Sequence, residues 1–280
     1  MGRLRQGGEE QRVRCLKKLA GGVSLTPPAF VLNNMEKNIK IKISEKYEIF
    51  GKMSGSTHQP LFIVIHGLPG SMDEDFYLNA CRWFAKRGYA TFRFNFYGAE
   101  KKSRQLMESS LQTHASDIDE IVKYFRNKNF KKIFIAGHSY GAPSILLSRA
   151  QDFDGVVLWD PSYKVSFLKT RSDSRAPVYI KKMKGYVMNW GVNFILGEKM
   201  AKEADSIKWG ELTKKFNVPL KIIVAGDGPL VSGAKHYFKT AHEPKELTIV
   251  KGATHYFNDT ENMREEVYKI SNNWFKKFLN

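Results

Sequence analysis

The 280-residue sequence predicts an α/β fold, a mostly parallel central sheet with helices on both faces. Three observations predict it. LFIVI (61–65) is a continuous apolar run, as expected of a strand buried on both faces. Segments with one apolar face at helical spacing separate it from further strand-like runs. Strand and helix then alternate over most of the chain, which is the signature of parallel strands joined by crossover helices.

Taken in order, NIKIKIS and KYEIFGKM suggest an antiparallel strand pair at a sheet edge, the first alternating at period two. After LFIVI comes the glycine-rich turn HGLPGS. Phe76, Ala80 and Phe84 then share one helix face over 72–87, with Asp73, Glu74 and Asp75 in the first turn, where they suit the helix dipole. ATFRFNF (90–96) alternates again. Ile118, Ile121, Val122 and Phe125 mark a helix between 114 and 128, and KIFIAG (132–137) is a strand followed by a helix over 140–151. GVVLWD (155–160), LKIIVAGD (220–227) and KELTIV (245–250) read as strands, and Val267, Ile270, Trp274 and Phe278 line a closing helix over 260–279.

Two intervals break this rhythm. Residues 162–208 are too long for a plain strand–helix connection and read as a small, largely helical cap. Its Tyr179, Met183, Tyr186, Met188, Trp190 and Phe194 suit either an acyl-binding cleft or simple packing onto the body. Residues 1–34 faintly resemble a signal peptide, but Gly21, Gly22, Pro27 and Pro28 interrupt the apolar part. They read as a disordered or non-native extension ahead of a single domain over 35–280.

Composition narrows the function classes. No stretch approaches the roughly 20 apolar residues of a membrane span. The two cysteines, Cys15 and Cys81, point to neither a disulfide nor metal-ligand spacing, so no metal or cofactor is expected and a reducing cytoplasm fits. The net charge of +17 is spread along the chain without a nucleic-acid-binding motif, so nucleic acid is not an expected partner. Weak attraction to anionic or membrane-surface substrates is the remaining consequence of the charge.

The chemistry centres on IFIAGHSYGAPS, where Gly137-His138-Ser139-Tyr140-Gly141 fits G-x-S-x-G between a strand and a helix. That setting exposes a serine hydroxyl above the sheet on a sharp turn. A serine needs a base within hydrogen-bond reach and a group to orient the base. His255, in KGATHYF just after the last strand, meets the first need, since it arrives at the carboxyl edge of the sheet. Asp227 in VAGDGPLV and Asp160 in LWDPS both give the chain order Ser, Asp, His; Asp227 is favoured. Two backbone N–H groups for an oxyanion are expected from Tyr140 and from Leu68 in the HGLPG turn, Pro69 having none.

With strand–HG–helix, GHSYG, a late Asp loop and the final GATH in this order, residues 37–280 resemble the α/β-hydrolases, particularly bacterial esterase-like members with a small cap. The resemblance implies Ser139 as nucleophile, His255 as base, Asp227 as acid, and Leu68 and Tyr140 as oxyanion donors. One departure concerns the acid. Many members carry G-x-x-D-P at this point, whereas here Gly228 separates Asp227 from Pro229; Asp160-Pro161 matches the dipeptide of other, lipase-like members. The expected activity is hydrolysis of small-molecule carboxylic esters through an acyl-enzyme. Thioester, amide or carbon–carbon bond hydrolysis and acyl transfer are alternatives on the same scaffold, and a non-catalytic binding protein is a more distant one.

Overall fold

The computed structural model describes residues 36–169 and 176–280. The expectation for residues 1–34 lies outside them. Strands β1 (Lys37–Lys42), β2 (Glu48–Ser54) and β3 (Leu61–Ile65) lead into helix α1 (Asp75–Ala85). Strand β4 (Ala90–Asn95), helix α2 (Leu111–Asn127), strand β5 (Ile133–His138), helix α3 (Gly141–Leu146) and strand β6 (Gly155–Trp159) follow. After the interval from 160 come β7 (Val178–Ile180), β8 (Gly185–Asn189), β9 (Asn193–Gly197) and α4 (Glu198–Ser206). Strand β10 (Leu220–Ala225), helix α5 (Val231–Thr240), strand β11 (Lys245–Val250) and helix α6 (Met263–Lys276) complete the chain.

The main sheet has eight strands in the order β1-β2-β4-β3-β5-β6-β10-β11. From β4 to β11 neighbours run parallel, and β2 is antiparallel to both β1 and β4, as the edge pair predicted. The period of two along each strand explains the two cores. Ile63, Ile65, Ile133, Ile135, Val156 and Leu158 face one side, where they meet α2, α3 and α5. Phe62, Val64, Phe134, Ala136, Val157 and Trp159 face the other, against α1 and α6. Both faces of the central strands are therefore apolar, which is why their sequences read as unbroken hydrophobic runs. Among the described residues, no helix is long and apolar enough to cross a membrane.

Two elements differ from expectation. Among its described residues the interval 162–208 is mixed rather than largely helical: β7, β8 and β9 form a three-stranded antiparallel sheet, and α4 alone is an α-helix. The spacing that suggested a helix also serves period two, since Tyr186, Met188 and Trp190 alternate. The turns are set by Lys184 at φ 48° and Gly191 at φ 80°, and Val178, Ile180, Val187 and Ile195 favour strands. The helix after β5 is also shorter than its sequence suggested. It stops at Leu146 because the Asp119 carboxylate takes the Arg149 and Ala150 amides and the Ser148 hydroxyl, turning the chain before the helix can extend.

Candidate active site

Strand β5 ends at His138, and Ser139 follows in the left-handed region at φ 53°. A non-glycine residue there is strained, and such strain persists where surrounding contacts over-determine it. Those contacts are visible. The Ser139 amide donates to the Trp159 carbonyl at 2.9 Å, and its own carbonyl accepts from Ser162 at 3.1 Å and Ala142 at 3.3 Å. The flanking glycines are steric requirements: a Cβ on Gly141 would lie 2.6 Å from the His66 carbonyl oxygen, and one on Gly137 would lie 2.5 Å from Ile145 and 3.1 Å from the Gly141 backbone. Only glycine lets helix α3 start this close to the sheet.

His255 sits on the loop after β11. Its Nδ1 lies 2.6 Å from Asp160 Oδ2 and its Nε2 lies 3.0 Å from Ser139 Oγ. The carboxylate can only accept, so Nδ1 carries the proton and Nε2 presents a lone pair to the serine hydroxyl. Asp160 is fully buried, and its other oxygen accepts the Ala225 amide at 3.0 Å. Its backbone, at φ 40°, donates to the Ile223 carbonyl at 2.7 Å. The Asp160 carboxylate is thus clamped against β10 with one oxygen left for His255. Ser139 is itself 8% exposed, whereas the His255 side chain beside it is 38% exposed.

Asp227, the favoured acid, is not there, and Asp160 takes that place. The Asp227 carboxylate is exposed and accepts the Gly252 amide at 3.2 Å, closing the turn after β11. The reason is sheet order. Strand β6 lies beside β5, so a residue at its end lies beside the elbow, whereas β10 is one strand further away.

The HGLPG turn packs directly on Ser139, since a Cβ on Gly67 would come within 3.0 Å of Ser139 Cβ and 3.5 Å of Oγ. Neither the Leu68 nor the Tyr140 amide donates to another described residue. His66 Nδ1 donates to the Gly67 carbonyl at 2.7 Å while its Nε2 accepts the Phe96 amide at 3.2 Å. The Gly67 carbonyl and the Leu68 N–H belong to one peptide plane and point to opposite sides of it. Fixing the carbonyl on His66 therefore directs the Leu68 N–H away from that ring.

Sequence reasoning missed Ser162, whose hydroxyl lies 3.5 Å from Ser139 Oγ, and whose carbonyl accepts from Tyr237 at 3.0 Å. Its only signal was its place two residues after Asp160. Within the insert, Trp190 stacks on Phe167 at 5.5 Å, and Phe167 meets the Tyr140 ring edge-on at 5.2 Å. Met188 is buried, and Tyr186, Trp190 and Phe194 pack against the core, while Tyr179 and Met183 stay exposed.

Three histidines near the site are buried and resist protonation. Burial lowers His66 to about 4 and holds His114 and His138 well below the usual value of 6.5. The unfolded chain takes up these protons near 6.5, the folded chain only at lower pH. Stability contributed by the three is complete above that value and falls as pH drops toward 4. His114 tests this alone: its ring stacks on Phe96 at 4.0 Å, and its Nε2 has no hydrogen-bond partner among the described residues. Urea unfolding of His114→Phe should show a smaller loss of stability on acidification than the wild type. An identical slope would contradict the assignment.

Comparisons with known proteins place this geometry in context. The sequence model of the serine aminopeptidase family S33 matches residues 56–192. No curated protein matches the chain. Est1E from Butyrivibrio proteoclasticus, with ferulic acid bound, superposes with a TM-score of 0.69 at 18% identity, covering 86% of this chain and 99% of its own. The esterase domain of a Rhodothermus marinus protein gives 0.68 at 16% identity, covering 88% of this chain and 100% of its own. The Pyrococcus furiosus esterase Pf2001 gives 0.66 at 16% identity, covering 93% and 98%. At these identities the likeness is one of fold.

Proposed function

We propose that this chain, whose fold is that of the α/β-hydrolases, is a serine hydrolase cleaving carboxylic esters through an acyl-enzyme. The observation that carries this reading is the His255 ring, 2.6 Å from Asp160 on one side and 3.0 Å from Ser139 on the other. In the reaction Ser139 Oγ attacks the acyl carbon while its proton passes to His255 Nε2, and the buried Asp160 carboxylate stabilises the imidazolium that forms. The Leu68 and Tyr140 N–H groups receive the negative charge that develops on the carbonyl oxygen. His255 then gives its proton to the departing alkoxide. A water attacks the acyl-serine by the same route in reverse, releasing the acid and restoring Ser139. None of these steps calls on a metal or cofactor, and the proposed setting is the cytoplasm.

Amide hydrolysis is the second reading, favoured by the match of residues 56–192 to serine aminopeptidases. Purified protein assayed on p-nitrophenyl esters of graded chain length, with p-nitroanilides in parallel, separates the two. Ester turnover exceeding anilide turnover is the expected result. The reverse order would move the assignment to amides, and no turnover of either would count against hydrolysis.

A further inference from the structure

Helix α1 belongs to the covering layer, yet it sends one polar group into the site. The Gly67 amide donates to Tyr77 Oη at 3.0 Å, Tyr77 Oη lies 2.8 Å from His138 Nδ1, and His138 Nε2 lies 2.8 Å from the His255 carbonyl oxygen. Tyr77 is 1% exposed and His138 fully buried, so these contacts do not compete with water.

The direction of every bond in this chain follows from its ends. A carbonyl oxygen only accepts, so His138 Nε2 carries a proton. Burial keeps the His138 ring neutral, so Nδ1 has a lone pair and Tyr77 must donate to it. The tyrosine oxygen is then left to accept the Gly67 N–H. All donors and acceptors match, which is the condition for a buried polar network to stabilise rather than weaken its surroundings. The His138 ring also packs 4.5 Å from the His255 ring, with Phe76 edge-on at 5.3 Å.

Each attachment point neighbours a reacting group. Gly67 precedes Leu68, His138 precedes Ser139, and the His255 carbonyl belongs to the base residue itself. We propose that Tyr77 and His138 are positioning residues: their hydrogen-bond relay locks the oxyanion turn and the base loop to the nucleophile elbow. The inference rests on the serine-hydrolase reading above. Without the relay the His255 backbone loses its anchor to the elbow, and its Nε2 no longer has a fixed place beside Ser139 Oγ. A displacement of about 1 Å in such a site costs about a hundredfold in rate.

The test has two arms. In wild-type protein labelled with 15N-histidine, His138 should be neutral at neutral pH with its proton on Nε2. An Nδ1–H tautomer or a charged ring would overturn the relay, whatever the enzyme's activity. In the second arm, Tyr77→Phe should lower kcat about tenfold to a hundredfold while KM stays within about twofold. His138→Phe should do the same, and His138→Gln, whose amide still donates toward the His255 carbonyl, should recover part of kcat. Folded Tyr77→Phe protein with wild-type kcat would sink the proposal, as would a His138→Gln no better than His138→Phe. If Tyr77→Phe does not fold, the His138 pair and the tautomer decide. Wild-type protein without turnover of any ester or anilide would instead remove the hydrolase reading, and the tautomer measurement would then decide the relay alone.

Discussion

Asp160→Asn is expected to lower kcat by about 10⁴-fold, the scale seen when the acid of such a triad becomes an amide. The atoms explain why. Asp160 Oδ1 accepts the Ala225 amide, so an asparagine keeps its oxygen there and turns its NH2 toward His255. A donor facing Nδ1 forces the ring proton onto Nε2, which then confronts Ser139 with a hydrogen instead of a lone pair. Fold and substrate affinity stay as they were while the base is in the wrong tautomer, so the loss falls on kcat rather than KM. Asp227→Asn provides the contrast. Its side chain is exposed and needs only an oxygen to accept the Gly252 amide, which asparagine retains. Its kcat should remain within about twofold of wild type, the ordinary range for surface substitutions away from special features. Steady-state kinetics on one ester decides between them, and the opposite ranking would return the acid to Asp227.

Ser139→Ala should remove turnover almost entirely, a loss of about 10³-fold or more, because no acyl-enzyme can form. The protein should still fold. Alanine bears the same strain at φ 53° as serine does, and the amide and carbonyl bonds to Trp159, Ser162 and Ala142 involve backbone on the Ser139 side. The side chain loses only its contacts to His255 Nε2 and the Ser162 hydroxyl. A melting temperature close to wild type with abolished ester hydrolysis is therefore expected. Substantial remaining turnover in the alanine variant would place the nucleophile elsewhere.

The legible parts of this molecule were those that short segments encode. The central strands announce themselves because both faces are buried, and the elbow because Gly137 and Gly141 are demanded by contacts within a few residues or with the adjacent strand. The acid was harder. Asp160 and Asp227 both end strands, and their difference lies in which strand neighbours β5, a matter of sheet order. The insert was misread because its apolar spacing fits a helix and a strand alike, and the turns at Lys184 and Gly191 decided for strands. The relay was invisible for a further reason. Its members lie at positions 67, 77, 138 and 255, and only the folded chain brings them together.

The central claim is that Ser139 is a nucleophile activated by His255. The most direct measurement is covalent labelling with a fluorophosphonate, followed by peptide mapping of the adduct. One phosphonyl group is expected on the peptide carrying Ser139, and none in Ser139→Ala. Wild-type protein that stays unlabelled, or an adduct mapped to another residue, would contradict it.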